Sequence, residues 1–208
     1  MSATGRFVTL EGGEGVGKST QLKALAAALR ARGLDVVETR EPGGSPGAEA
    51  IRKLLLHEQD WTAEAEALLF AAARADHVAR TIRPALQAGK WVLADRFIDS
   101  SVAYQGGAGG LGFETIWRLH EAGSHGLKPD RTLLLRLPEA EAARRADDRD
   151  AAGKDLIGGR AAEYHAAVVA AFDRLAAEEP ERYRVVDASG APEEVTARLV
   201  AALEDLLS

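Results

Sequence analysis

The segment Gly12-Gly-Glu-Gly-Val-Gly-Lys-Ser19 fits the pattern G-x-x-x-x-G-K-[ST] without a mismatch. Its residue types are those of an anion cradle. Glycines leave successive backbone N–H groups free to converge on a phosphate. A helix beginning at Lys18 aims the positive end of its dipole at the same place. Lys18 can reach the β and γ phosphates of a nucleotide as a point charge, and Ser19 can offer its hydroxyl to Mg²⁺. The ATP-binding candidates are therefore Gly12, Gly13, Glu14, Gly15, Val16, Gly17, Lys18, Ser19 and Thr20. The competing explanation is a chance glycine turn before a helix. The strand pattern ahead of the loop and the helical pattern after it argue against that. The loop leaves the reaction open, because GTPases, transport ATPases and small-molecule kinases share it. No N-K-x-D string for reading guanine occurs, which favours a kinase.

A second set of residues could serve an acceptor. Trp91-Val-Leu-Ala-Asp95-Arg96 ends a strand on an acid and a base, and strand C-termini face the ligand crevice in doubly wound sheets. Asp95 could order Mg²⁺ directly or through water, and Arg96 could bridge two phosphates; a salt-bridged strand end is the plainer alternative. Phe70 and Arg74 are one helical turn apart. They would offer a nucleobase an aromatic plane and a cation, although core plus surface is the commoner origin of such a pair.

Four strings follow the glycine loop in order: Thr39-Arg-Glu-Pro-Gly-Gly44, Asp95-Arg96, Tyr104-Gln-Gly-Gly107 and Lys128-Pro-Asp130. With that loop, the arrangement resembles the bacterial thymidylate kinase family over nearly the whole chain. The resemblance implies ATP-dependent phosphorylation of dTMP to dTDP with Mg²⁺ in a homodimer. It implies that Phe70 stacks on thymine while Arg74 and Ser101 bond its edge. Arg40 and Arg96 would hold the acceptor phosphate, and Pro42 and Gln105 would line its pocket. Tyr104 would crowd the sugar 2′ position. Glu11 would stand near the sugar 3′-hydroxyl or the metal water. A lid of about 144–160 would close over the phosphates. No arginine lies inside the glycine loop, so Arg149, Lys154 and Arg160 become candidate catalytic cations beside Lys18 and Arg96. Arg144 or Arg145 would stack on adenine, with the loop after Asp187 at its edge. Two features depart from the family. The lid reads Asp155-Leu-Ile-Gly158 where many relatives carry D-R-x-E, and Arg136 stands where relatives commonly have aspartate.

The elements that must position these residues follow from periodicity. Strands are expected at Phe7–Leu10, Asp35–Thr39, Trp91–Ala94, Arg131–Leu135 and Tyr183–Asp187. Helices are expected at 18–32, 48–56, 63–88 with a break before Pro84, 113–122, 139–146, 161–178 and 192–207. Gln105–Gly112 reads as a glycine-rich loop facing the ligand. Alternating strands and helices predict a three-layer, doubly wound, five-stranded parallel sheet of the P-loop NTPase type, in one domain over 1–208.

Composition narrows the function classes. Hydrophobic residues make up 46% of the chain and charged residues 28%, the balance of a globular protein. The net charge of −6 argues against a nucleic-acid polymer as partner. The absence of cysteine removes disulfides, thiolate metal sites and thiol nucleophiles. No stretch reads as a signal peptide or a membrane span, so a cytoplasmic location away from the membrane is expected.

Overall fold

The computed structural model describes residues 5–57, 61–138, 141, 142, 144 and 162–207. Five strands form one sheet in the order β2-β3-β1-β4-β5. They are β1 (Phe7–Glu11), β2 (Val36–Arg40), β3 (Trp91–Asp95), β4 (Arg131–Arg136) and β5 (Tyr183–Asp187). Every pairing is parallel. These are the expected strands, with ends moved by about a residue. Central β1 sets Leu10 opposite Asp95 of β3 and Leu133 of β4. The chain runs from β1 out to β2 on one side, returns to β3, and then crosses to β4 and β5 on the other side of β1; the crevice above such a switch point is where these sheets bind ligands.

Strand side chains alternate between faces, which divides the core in two. Phe7, Val92, Ala94 and Leu134 pack with Phe97, Ile98, Tyr104 and Phe172 on one face. Val8, Leu10, Leu93, Leu133 and Leu135 pack on the other. There α1 (Lys18–Ala31) buries Leu22, Leu25, Ala26 and Leu29, which the helical period sets in one stripe. Truncating fully buried Leu25 to Ala would cost about 2–5 kcal/mol. The helices α2 (Pro46–His57), α6 (Phe113–Ser124) and α7 (Ala162–Glu178) run close to their predicted spans. In α7, Val168, Phe172 and Leu175 are buried as their spacing predicts, and Tyr164 is partly so. The closing helix is two pieces, α8 (Pro192–Ala201) and α9 (Glu204–Leu207).

Two segments differ from expectation for identifiable reasons. The single helix read over 63–88 is α3 (Ala63–His77), a π-helical stretch Val78–Ile82, and α4 (Arg83–Gln87). Pro84 has no N–H to return to the preceding turn, so the ladder widens just before it. The loop expected at 105–112 is structured through Ala108. After α5 (Ile98–Ser101), residues Val102–Ala108 wind as a second π-helix with Gln105 and Gly106 buried. Its glycines serve packing: a Cβ on Gly107 would lie 2.8 Å from the Cβ of Ala171 in α7. Of the helix expected at 139–146, Glu141, Ala142 and Arg144 are described and helical. The lid candidates Arg145, Arg149, Lys154 and Arg160 lie outside the described residues. Among the described residues no helix is long and apolar enough to cross a membrane.

Candidate active site

One cavity of about 430 Å³ opens at the C-terminal edge of β1 and β3. Fifteen predicted site residues meet on its wall: Glu14, Gly15, Gly17, Lys18, Ser19, Thr20, Arg40, Pro42, Phe70, Arg74, Asp95, Arg96, Ser101, Tyr104 and Gln105. They come from the loop after β1 and the first turn of α1, the end of β2 and the loop after it, α3, and the end of β3 with the turn, α5 and π-helix that follow. Glu41, Arg52, Leu56, Phe97 and Ser100 line it too and were not singled out from sequence. Glu41 lies inside the Thr39–Gly44 string, and Phe97 and Ser100 flank residues already selected. Arg52 and Leu56 repeat on α2 the one-turn pairing of a cation with an apolar side chain that marked Arg74 and Phe70.

At the donor end, backbone does the shaping. Gly12 has φ 138°, and a Cβ there would stand 2.6 Å from the Leu135 carbonyl oxygen. Val16 is buried in the core, while Gly12 and Gly13 offer carbonyls. Lys18 Nζ donates to Gly12 O at 3.2 Å and to Gly13 O at 2.6 Å. Burial lowers Lys18 to about 8, with the Arg96 charge adding to the effect and Glu14, Asp95 and Glu11 opposing it. Ser19 Oγ donates to Asp95 Oδ2. These two hard oxygen donors in contact at the mouth of the loop suit Mg²⁺, which takes few protein ligands and keeps phosphate and water around it. Among the described residues no cluster of three or more His, Asp or Glu side chains forms a fuller metal cage.

At the acceptor end, side chains do the shaping. Arg74 Nε donates to Glu41 Oε2 at 2.7 Å, and its NH2 donates to Ser101 Oγ at 2.7 Å. His77 Nδ1 lies 3.0 Å from Glu41 Oε1, and its Nε2 lies 2.6 Å from Thr39 Oγ1. Arg74 and His77 are 3% and 0% exposed. Arg40 pairs with Glu49 at 3.0 Å, and the Gly44 N–H on that carboxylate, more than the arginine, holds Glu49 below its usual range. Arg52 NH1 donates to Pro42 O at 2.7 Å. Gln105 Nε2 donates to Glu66 Oε1 at 2.9 Å.

Arg96 joins the two ends. Its φ of 69° is left-handed, a conformation of order 1–3 kcal/mol in cost for a residue with a side chain. Its NH1 donates to Gly12 O at 3.2 Å and Ser100 Oγ at 3.0 Å, and its NH2 to Glu14 Oε1 at 2.6 Å. The guanidinium carbon stands 5.0 Å from the Tyr104 ring centre, and Tyr104 Oη donates to Glu14 at 3.1 Å. Burial works against the Arg96 charge, but Tyr104, Glu14, Asp95 and Glu11 outweigh it and keep the group ionised.

Among the described site candidates, Gly12, Gly13, Val16, Glu11 and Arg144 are not on the wall: Val16 packs in the core, Gly12 and Gly13 lie behind the wall as carbonyl partners of Lys18, and the other two lie elsewhere. Glu11 is 0% exposed and is not on the cavity wall, so the expected contact with sugar or metal water is not what its position offers. It accepts from Phe97 N at 2.7 Å and from Ser100 Oγ at 2.6 Å. Burial, then the Asp99 charge, push it up to about 8, against Arg96, Ser100 and the Phe97 N–H. Arg144 is helical, exposed and away from the wall. The loop after Asp187 is shaped by Arg198, whose NH1 donates to Asp187 O at 2.8 Å and to Ser189 O at 2.7 Å.

A P-loop joined by an arginine bridge to a second, side-chain-lined end of the same cavity has the form of a nucleotide-dependent phosphotransferase. The thymidylate kinase family model matches residues 10–199. A thymidylate kinase of Rhizorhabdus wittichii is 66% identical over 205 residues, spanning 98% of this chain and 99% of that protein. One from Rhodopseudomonas palustris is 48% identical, over 95% of this chain and 88% of its own length. The crystal structure of thymidylate kinase from Ehrlichia chaffeensis superposes with a TM-score of 0.78 at 31% identity, covering 96% of this chain and 98% of that one. The chain belongs to the thymidylate kinase family.

Proposed function

We propose that this protein transfers the γ-phosphoryl group of ATP to the phosphate of dTMP, giving ADP and dTDP for dTTP synthesis. The observation that carries this reading is the single cavity in which Lys18, Arg96 and Arg74 succeed one another from phosphate loop to base compartment. The loop N–H groups and Lys18 hold the donor phosphates. Phe70 covers one face of the thymine, and Arg74 and Ser101 meet its edge. Arg40 and Arg96 receive the acceptor phosphate, Pro42 and Gln105 complete its surroundings, and Tyr104 closes the sugar side. Since Glu14 reaches the wall and Glu11 does not, the carboxylate offered to the substrates is Glu14.

A phosphate oxygen of dTMP attacks the γ-phosphorus, the bond to the bridging oxygen breaks, and ADP leaves. Such a transfer needs positioning and charge stabilisation more than a protein nucleophile. Two polyanions must approach, and the buried Arg96 offsets their repulsion. Ser19 and Asp95 would hold Mg²⁺, which supplies charge neutralisation at the phosphate oxygens. Lid cations among Arg149, Lys154 and Arg160 complete the charge at the γ-phosphate, with Arg144 or Arg145 at the adenine. The working unit is one domain over 1–208 with its lid at about 144–160. It is cytoplasmic, binds neither membrane nor nucleic-acid polymer, and pairs as a homodimer. Leu68, 55% exposed on α3, suits the pairing surface.

A coupled assay with ATP, Mg²⁺ and a panel of nucleoside monophosphates tests the reading. dTMP is expected to give the highest kcat/KM, and a preference for a purine monophosphate would replace the acceptor assignment. Chelation of Mg²⁺ should stop turnover and restoration should recover it. Sedimentation should give twice the chain mass.

A further inference from the structure

Glu11 is fully buried, yet it stands between the two halves of the site. It is the last residue of β1 and precedes Gly12, whose carbonyl receives both Lys18 and Arg96. Its side chain has the parity of Phe7 and Thr9, so it enters the face where Phe97 and the helix after it pack, opposite the α1 face of Val8 and Leu10. On that face one carboxyl oxygen takes the Phe97 N–H and the other meets Ser100 Oγ. Phe97 directly follows Arg96, whose backbone is left-handed and whose own N–H is held by Leu10 O at 3.1 Å. The strained residue is thus held by hydrogen bonds at its own N–H and at the next. Ser100 Oγ is the second link, because it also receives NH1 of Arg96 at 3.0 Å.

We propose that Glu11 is a positioning residue for Arg96: from beneath the P-loop it fixes the left-handed turn that carries Arg96 and, through Ser100, the direction of its guanidinium. The arrangement does not depend on the protonation of Glu11. One oxygen accepts from Phe97 in either state, and the other shares a proton with Ser100. The plainer alternative is a buried carboxyl that serves folding alone. It predicts the same loss of activity whatever residue occupies position 96, whereas a residue acting through Arg96 has an effect that depends on it.

The test is a double-mutant cycle in the full chain, using Glu11→Ala and Ser100→Ala, each alone and with Arg96→Lys. Steady-state kinetics, calorimetric dTMP affinity and melting temperature are followed together. With Arg96 present, Glu11→Ala is expected to lower kcat about tenfold to a hundredfold, the size of an ångström-scale misplacement. KM for ATP should stay within about twofold, since donor binding is not what is lost. Combined with Arg96→Lys, the same substitution should cost less than about threefold. Glu11→Gln, which keeps an acceptor for Phe97 and a donor for Ser100, should recover most of kcat. If Glu11→Ala does not fold, Ser100→Ala carries the cycle, since it removes the hydroxyl between Glu11 and the guanidinium. Equal losses with and without Arg96→Lys would overturn the proposal, as would unchanged kcat and dTMP affinity in Glu11→Ala. The proposal rests on the dTMP reading only for the choice of acceptor. The unsubstituted protein is the control: if it prefers another monophosphate, that assignment fails separately and the cycle is run on the preferred one.

Discussion

The donor and acceptor ends of the cavity solve the same problem, holding an anion in a cleft, by opposite means. The donor end is backbone and helix dipole, with Gly12 seated against Leu135 O and Lys18 resting on two loop carbonyls. The acceptor end is a lattice of buried side chains, in which Glu41 ties Arg74 and His77 together, and Arg96 is held by Ser100, Glu14 and Gly12 O. A backbone cradle separates function from stability, because its side chains can change without leaving unpaired partners. A side-chain lattice joins them, because each member satisfies another buried group.

Substitutions can break that contrast. The largest effect is expected for Lys18→Ala, which should lower kcat about 10³-fold as transition-state charge is lost. Calorimetric unfolding should show no loss of stability, since a partly desolvated ammonium is removed. A marked drop in melting temperature would show that the donor end is a lattice as well. Arg74→Ala comes next, with dTMP binding weakened about ten- to a hundredfold. The same change should also cost about 3 kcal/mol of stability, because Glu41 is left buried beside an empty place. ATP binding should hold, and equal loss of both ligands would remove Arg74 from base recognition. Gly12→Ala sharpens the comparison from the donor side. Its Cβ and positive φ predict about 2 kcal/mol of strain, read in urea unfolding, together with weakened ATP binding. A stable variant with normal ATP affinity would show that the loop is not seated on β4.

The smallest effect concerns acid and the packing behind the acceptor end. His120 stacks edge-on against Phe97 at 5.6 Å and donates through Nε2 to Leu127 O at 2.8 Å, while its buried Nδ1 has no partner among the described residues. Burial, with the Arg74 charge next, lowers it from 6.5 to about 4. Between those values the unfolded chain binds a proton that the folded chain does not. Stability is therefore full above about 6.5 and falls toward about 4, by roughly 1 kcal/mol per pH unit. His120→Gln keeps a donor for Leu127 and should flatten that slope in pH-dependent urea melts. An unchanged slope would assign it to other groups.

The same contrast explains what could be read from the sequence. Phe7–Leu10, the glycine loop and the α1 stripe were legible because their periodicity and spacing are local. Thr39–Gly44 and Asp95-Arg96 were legible as strings, and the cavity unites them. Glu11 was misplaced because its neighbour in sequence is the P-loop, while its partners, Phe97 and Ser100, arrive through β3. Arg52 and Leu56 escaped notice because α2 meets the cavity only through the fold. Gln105–Gly112 read as a loop because glycine suggests freedom, and the π-helix that takes in its first residues has no periodic signature. Here Gly107 fits tightly against α7, and Gly106 against Gly112 and, in α6, Ile116.

That π-helical stretch places a constraint on chain length. A π turn is an α turn holding one residue more than it needs. Within Val102–Ala108, Tyr104 sends its hydroxyl to Glu14 while its carbonyl takes Gly109 N–H and the Tyr164 hydroxyl, and Gln105 turns to Glu66. Losing one residue from this span would return the turn to α spacing and swing either Tyr104 or Gln105 out of register. Exchange of one small residue for another at Ala103 would leave the count intact. The segment should therefore accept spelling changes more readily than deletions, so that its number of letters matters more than most of the letters themselves.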